Sequence, residues 1–446
     1  MRPLCPTARW APKCKAAASG VRLGSAAGAT RASAPINDRN QLVEAQHDPR
    51  DHARRAAVAA TADLYEIEAR LDPADRELLL RVRAFMEDQV EPIINRYWAR
   101  AEFPFELLPG LRDLGIVGLA YSGFGFPGRS HVLSGMIAME LARVDPSIAT
   151  FMGVHGGLAA GSILLCGSEE QKDRWLPAMQ RMDLIGAFGL TEPEVGSGAA
   201  GGLTTTARRD GDTWVLDGQK KWIGNATFAD LTIIWARDLE DDQVKGFVVE
   251  KDTAGFTTEK IEDKIALRVV QNALITLDGV RVPETNRLQE AHSFRDTANI
   301  LRVTRAGVAW MAVGCARGAY EHAVRYAVDR EQFGRPIARF QLVQDLLSRM
   351  LGNTVASQCL VLELARLEDA TPIRDEQASL AKAFCTARTR ETTGWARELL
   401  AGNGILLDYH IGRFVADSEA IYSYEGTREM NSLIVGRAIT GMSAFV

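Results

Sequence analysis

Cysteine is scarce in this sequence, and what there is does not pair. Cys5, Cys14, Cys166, Cys315, Cys359 and Cys385 lie far apart, with no C-x-x-C and no Cys/His spacing of a zinc site. That excludes a disulfide-stapled scaffold, offers no metal ligands, and reads as free thiols in a reducing compartment. Long apolar runs are missing too. None approaches the roughly 18 residues of a bilayer-spanning helix, so no membrane span is expected. Positive charge is in deficit: 52 Lys and Arg face 57 Asp and Glu, and a net charge of −5 cannot supply the basic face that nucleic acid requires. Lysine provides only ten of the 52 basic residues, an Arg-rich bias that reflects GC-rich coding and not function. What remains is ordinary for a globular protein, at 46% hydrophobic and 24% charged residues, and 446 residues suffice for two or three lobes.

No acidic residue occurs before Asp38, whereas Arg2, Arg9, Lys13, Lys15, Arg22 and Arg31 precede it among many Ala, Gly and Ser. This composition suits an organellar transit peptide and lacks the apolar centre of a secretory signal. It equally suits a disordered tail, or upstream sequence translated from an incorrect start. The expected location is the mitochondrial matrix if the segment is a transit peptide and the cytoplasm if the source is bacterial. Secretion is not expected. Residues 1–66 are set apart as a disordered or targeting tail.

Ordered structure is expected from Asp72, an N-cap followed by Pro73 at the first helical position. Leu78, Leu79, Val82, Phe85, Met86, Val90, Ile93 and Ile94 then recur at helical spacing, and more helical pattern follows at 107–114, 132–143 and 169–181. Near Gly186 the period changes. Asp210-Gly211, Asp217-Gly218 and Asp278-Gly279 punctuate short β-rich runs at 213–216, 231–236, 246–249 and 273–277, a spacing that predicts antiparallel strands. Helical periodicity returns over 297–329, 338–368 and 375–400 and after Met430, with 411–422 a mixed stretch. Helices, a β insert, then helices predict an α+β assembly, not a doubly wound sheet. The expected domains are an N-terminal helical one over 67–185, a middle β domain over 186–291 and a C-terminal helical bundle over 292–446.

Several motifs carry possible chemistry. Gly123-Phe124-Gly125-Phe126-Pro127-Gly128 matches G-x-G-x-x-G, but Pro127 interrupts it and no alternating strands and helices surround it, so an interhelical glycine loop is the better reading. Leu190-Thr191-Glu192-Pro193-Glu194-Val195-Gly196-Ser197 lies at the handover from helices to strands, where two hydroxyls meet a glycine that permits close approach by a ligand. Lys220-Lys221-Trp222-Ile223-Gly224-Asn225 sets an indole between a strand and a polar loop. Arg330-Glu331-Gln332-Phe333-Gly334-Arg335-Pro336, Gln341 and Ala401-Gly402-Asn403-Gly404 mark turns between late helices. Tyr424-Glu425-Gly426-Thr427 places a carboxylate in a loop before the last helix, where it serves either as an N-cap or as a base.

In this order and spacing, these five elements from Leu190 to Thr427 resemble the acyl-CoA dehydrogenase and acyl-CoA oxidase flavoprotein family. The likeness runs from Leu71 to Phe445, and residues 97–105, 114–118 and 436–445 look most like glutaryl-CoA dehydrogenase and the plant short-chain acyl-CoA oxidases. The resemblance implies an N-terminal helical domain, a middle antiparallel β domain and a C-terminal four-helix bundle. It implies FAD as cofactor, with Phe188, Leu190, Thr191, Trp222 and Ile223 at the flavin and Gly196 and Ser197 at its pyrophosphate, Ser197 also meeting the CoA thioester. Arg330, Phe333, Gln341, Glu398 and Gly402 would hold the FAD of a neighbouring subunit, with Thr427 and Glu429 near the adenosine phosphates. A shared site implies a homo-oligomer, in a family that is mostly tetrameric.

By the same resemblance, Glu425 is the base that takes the α-proton of a short-chain acyl-CoA while the β-hydride leaves to flavin N5, giving a trans-2-enoyl-CoA. Arg305, Trp310 and Gly426 would complete the substrate site, Arg305 by orienting the Glu425 loop and Trp310 as the pocket floor. Burial would raise the pKa of the base toward neutrality. Electron-transfer flavoprotein or oxygen would reoxidise the flavin. Two departures narrow the reading. Ala149 stands where glutaryl-CoA dehydrogenase has an Arg for the distal carboxylate, which disfavours a dicarboxylyl substrate, and Gly224 replaces a Thr found in most dehydrogenases, as in the short-chain oxidases. A third, Gly198 for the usual Asp, alters the hydrogen bonding expected near the pyrophosphate. A non-catalytic flavin- or CoA-binding protein of the same fold is the alternative that an intact Tyr424-Glu425-Gly426-Thr427 argues against.

Overall fold

The computed structural model describes residues 62–445, so the expectations for residues 1–37 lie outside the described residues. The first long helix forms as its pattern predicts, with Asp72 accepting a hydrogen bond from the Ala74 N–H. It runs as α1 (Pro73–Phe85), a π-helical stretch (Met86–Val90) and α2 (Glu91–Arg100). Next come α3 (Leu108–Leu114) and α4 (His131–Val144), and the glycine-rich segment between them is a small hairpin pairing Ser122–Gly123 with Phe126–Pro127, unconnected to any dinucleotide fold.

A continuous helical run follows: α5 (Pro146–Met152), a π-helical stretch (Gly153–Ala160) and α6 (Gly161–Cys166). This corrects the expectation that no run approaches spanning length, because Pro146–Cys166 is long and apolar enough by composition, with a mean hydropathy of 1.6. Its residues are mostly buried against neighbouring elements, as in the core helix of a folded protein. The helix α7 (Glu169–Gln180) closes this part, its start fixed by a reciprocal Ser168–Gln171 capping box.

Seven strands form one sheet: β1 (Gly186–Gly189), β2 (Thr206–Asp210), β3 (Thr213–Ile223), β4 (Leu231–Asp238), β5 (Val244–Glu250), β6 (Phe256–Lys260) and β7 (Ala273–Pro283). Four pairings are antiparallel as expected, but β1 and β2 both run parallel to β4, one after the other along the same strand. The dipeptides also act differently from the expectation. Asp210-Gly211 is a true turn, whereas Asp217-Gly218 and Asp278-Gly279 lie inside 11-residue strands, where the register shifts between Leu216 and Gly218. There the Gly279 N–H donates to Asp217 Oδ1 at 2.7 Å. Gly218 is required, because a Cβ would come within 2.7 Å of Thr205.

The last part packs α8 (Phe294–Asp329), α9 (Gln341–Ala370) and α10 (Asp375–Leu399) with the shorter α11 (Ile411–Ser423) and α12 (Arg428–Thr440). The stretch 411–422, expected as mixed, is helical throughout. The helix α8 also packs on α4 so closely that a Cβ at Gly314 or Gly318 would lie 2.1 Å from an α4 carbonyl oxygen. This contact joins the first helices to the bundle.

Candidate active site

Where the sheet, α4 and the bundle meet, a cleft of about 1740 Å³ opens. Each of the three parts contributes to its wall. The helix α11 ends at Ser423, and Thr427 caps α12 by accepting from the Met430 N–H at 3.3 Å, so the N-cap is Thr427 and not Glu425. Between them Glu425 (φ 54°) and Gly426 (φ 82°) are both left-handed, which turns the Glu425 carboxylate toward the cleft. Thr304 Oγ1 lies 3.3 Å from Glu425 Oε2, and Arg305 Nε donates to the Glu425 carbonyl at 3.4 Å. Burial raises the Glu425 pKa above the usual carboxylate range, opposed by the positive Arg305 and Lys382 and by the Thr304 hydroxyl. A half-buried carboxyl so tuned is a competent general base.

Residues from the sheet and its loops shape another part of the wall. Trp222 is left-handed (φ 67°) and 53% exposed, leaving its indole at the cleft surface. Positions 196 and 198 have empty space where a Cβ would stand. Phe188, Leu190, Thr191, Ser197 and Ile223 line the same cleft. Gly224 lines it too, with room for a side chain if Val154 yields slightly, since a Cβ would sit 3.3 Å from Val154 Cγ2. Trp310 is only 3% exposed and packs on Gly135 of α4, where a Cβ would come within 2.2 Å of its Nε1. Ala149 is buried at the wall.

The segment around Thr191 is held by Glu192 of the same motif, through a pairing that the motif alone does not show. Glu192 is buried, pairs with Lys220 at 2.9 Å and accepts from the Thr204 and Thr205 N–H groups at 2.7 and 2.8 Å. Lys220 also donates to the Leu190 carbonyl at 3.1 Å. These partners hold the Glu192 carboxyl down at about 2, while burial brings the Lys220 ammonium to about 8, so the pair is ionic at neutral pH. Thr304 and Lys382 do not show in the sequence, because only the fold brings them to the Glu425 loop, whereas Glu192 and Lys220 stand inside the quoted motifs and it is their pairing that the sequence does not show.

Other expected residues lie off the cleft wall. Arg330, Phe333 and Gln341 are exposed around a hairpin at the end of α8, with Phe333 at its tip 91% exposed and left-handed (φ 54°). Glu398 and Gly402 are exposed at the end of α10 and in the following 3-10 turn, and Glu429 is exposed in the first turn of α12. Gly426 and Thr427, by contrast, line the cleft beside Glu425. Among the described residues, Glu91, His322 and His410 bring ligand-type atoms within 4.8 Å of one another. Their geometry does not suit an ion. Arg325 and Arg413 donate to the two His Nδ1 atoms at 2.9 and 3.2 Å, which puts each proton on Nε2, the side a metal would need.

Three family models match in sequence order: the acyl-CoA dehydrogenase N-terminal domain over residues 72–183, the middle domain over 187–280 and the C-terminal domain over 294–440. The chain belongs to the acyl-CoA dehydrogenase family. It is 34% identical over 368 residues to an acyl-CoA dehydrogenase of Bacillus subtilis, covering 81% of this chain and 96% of that one. It is 33% identical to the mitochondrial short-chain specific acyl-CoA dehydrogenase of Bos taurus, covering 79% and 87% of the two chains. A glutaryl-CoA dehydrogenase from Mycobacterium smegmatis, solved in complex with FADH2, superposes with a TM-score of 0.84 at 37% identity, over 87% of this chain and all of that one. Acyl-CoA dehydrogenases are FAD-dependent enzymes, and this chain is one of them. Its residues fit the cofactor: an exposed indole flanks the cleft where a flat ring system would lie, and the open backbone at Gly196 and Gly198 leaves room for a pyrophosphate.

Proposed function

We propose that this acyl-CoA dehydrogenase converts a short-chain acyl-CoA to its trans-2-enoyl-CoA, with Glu425 removing the α-proton. The observation that carries the reading is the Glu425 turn, which holds a carboxyl of raised pKa on a cleft that Trp310 helps to wall. When bound, FAD accepts the hydride from the β-carbon. Phe188, Leu190, Thr191, Gly196, Ser197, Trp222 and Ile223 would hold it. The chain's own work is to set the positive Arg305 against the burial of Glu425, to order the turn, and to close the acyl pocket at Trp310. The backbone N–H of Glu425 would donate to the thioester oxygen, favouring enolate charge as the proton leaves.

The buried Ala149 limits the acyl group. A distal carboxylate reaching it would find no arginine there, and an unpaired buried charge costs several kcal/mol, so the substrate is a monocarboxylic acyl group. The exposed hairpin at Arg330 and Phe333, with Gln341, Glu398 and Gly402, would reach the FAD of another copy in a homo-oligomer, a tetramer in our reading. Thr427 and Glu429 would stand near the adenosine phosphates. Electron-transfer flavoprotein is the proposed acceptor. Gly224 supports oxygen as a second one, because the cleft wall lacks a side chain there.

Anaerobic mixing of the yellow holoenzyme with butyryl-CoA tests the reading. Bleaching of the flavin is expected, followed by slow recolouring in air. A protein that stays yellow across a panel of short acyl-CoAs would sink it.

A further inference from the structure

The turn that carries Glu425 has a buried cation behind it, off the cleft wall. Lys382, on α10, is fully buried, and its ammonium donates to the Tyr422 carbonyl at 2.8 Å and the Gly426 carbonyl at 2.7 Å. Tyr422 belongs to the last turn of α11, where carbonyls lack helical partners and a positive charge is favoured. Gly426 lies just beyond the base. We propose that Lys382 positions Glu425, its ammonium tying the two ends of the turn that carries the base while placing one positive charge near the carboxylate. The proposal rests on the reading of Glu425 as the base.

Two consecutive left-handed residues make a turn that does not hold itself. Here its carbonyls are taken up one by one. Arg305 takes that of Glu425, Lys382 that of Gly426, and Asn431 Nδ2 those of Gly426 and Thr427 at 2.8 and 2.9 Å. The Lys382 ammonium takes both carbonyls from one point at a fully buried site, where the longer side chain and wider planar head of an Arg would have to shift the surrounding packing. The charged and titratable groups around the base are Arg305 on α8, Asp375 at the start of α10, Lys382, Glu429 on α12 and the neighbouring Tyr424. Lys382 and Arg305 oppose the burial that raises the Glu425 pKa. Burial brings the Lys382 ammonium to about 8, so it is charged at neutral pH.

The test compares wild type, Lys382→Met and Lys382→Arg as FAD-loaded proteins in anaerobic bleaching by butyryl-CoA and in turnover with an added dye as electron acceptor, both across the pH range. Lys382→Met removes charge and donors, so its acid limb should move up by about half a pH unit or more, and kcat should fall at least about tenfold with KM little changed. Lys382→Arg should keep the limb in place and lose rate through altered geometry. An unshifted limb in a folded Met variant, or an Arg variant of wild-type kcat, would overturn the proposal. If Lys382→Met does not fold, the Arg variant decides. Hydrogen exchange of the 423–427 amides needs no substrate: it should quicken at least about tenfold in the variant that folds, and unchanged exchange would equally overturn the clamp. Failure of wild type to bleach would instead remove the functional reading and leave the exchange result to stand alone.

Discussion

Burial and charge pull the Glu425 carboxyl in opposite directions, and its proposed use as a base depends on the balance. Burial raises its pKa, so activity should fall as pH drops through that raised value and the carboxyl gains its proton. A rate profile flat through the acid range would contradict this. Glu425→Gln keeps volume and hydrogen bonding but not basicity. It should fold and retain FAD while turnover falls by at least about a hundredfold. Measured flavin content beside butyryl-CoA turnover checks both halves, and survival of about a tenth of the activity would remove Glu425 from the role. Gly224 is the other residue whose size matters. Its backbone is not left-handed and the nearest atoms to a Cβ there, on Val154, Val270 and Asn272, lie at 3.3 to 3.9 Å, so Gly224→Thr should fold. It is expected to lower peroxide release during turnover, and an unchanged or higher rate would end the proposed link to oxygen.

At the scale of elements, the Glu192–Lys220 latch ties the Thr191 loop to β3. The Glu192 pKa is held at about 2, below its ordinary 4.5, so the latch contributes stability that is complete above about 4.5 and lost as pH falls toward 2. Glu192→Gln should cost about 3 kcal/mol at neutral pH, by leaving Lys220 buried and unpaired. Urea unfolding at neutral and acid pH checks this: the gap between variant and wild type should narrow in acid, and a constant gap would refute the latch. Trp310→Gly should shift preference from roughly C4–C6 acyl groups toward longer ones, since the indole removed walls the cleft and the neighbour it packs on, Gly135, has no side chain to take its place. An unchanged profile across an acyl-CoA panel would cancel that assignment. Elements of this kind differ in how far sequence reveals them. The helix from Pro73 was legible because apolar spacing and a cap are local signals, whereas spacing alone began the helix at 294 three residues late, at Thr297, and passed over its Ser293–Asp296 capping box. Glycine after Asp at 217 and 278 was misleading, because a bulge inside a strand and a turn between strands use the same residue for the same backbone freedom. Periodicity also missed the parallel pairings on β4, which are set by where β1 and β2 arrive in space. The base loop was visible as a motif. Its supports, Thr304 and Lys382, are 121 and 44 or fewer positions away on other helices, and no local pattern marks them.

For the whole molecule, Phe333 is the most exposed of several large apolar side chains among the described residues, at 91% with Leu342 at 82%, and the two stand at and just after the hairpin proposed to reach another copy. Phe333→Asp should reduce the assembly and release FAD together. Light scattering and flavin content read the two effects, and a variant of wild-type size with full flavin would sink the shared site. The contact between Trp310 and Gly135 reaches further, into how such a chain can change by descent. Gly135 cannot gain a side chain while the indole lies against it. Loss of the indole lifts that constraint. A lineage moving toward longer acyl groups must therefore alter Trp310 first and position 135 afterwards, and once a larger residue is fixed at 135 the return to Trp is barred until it is undone.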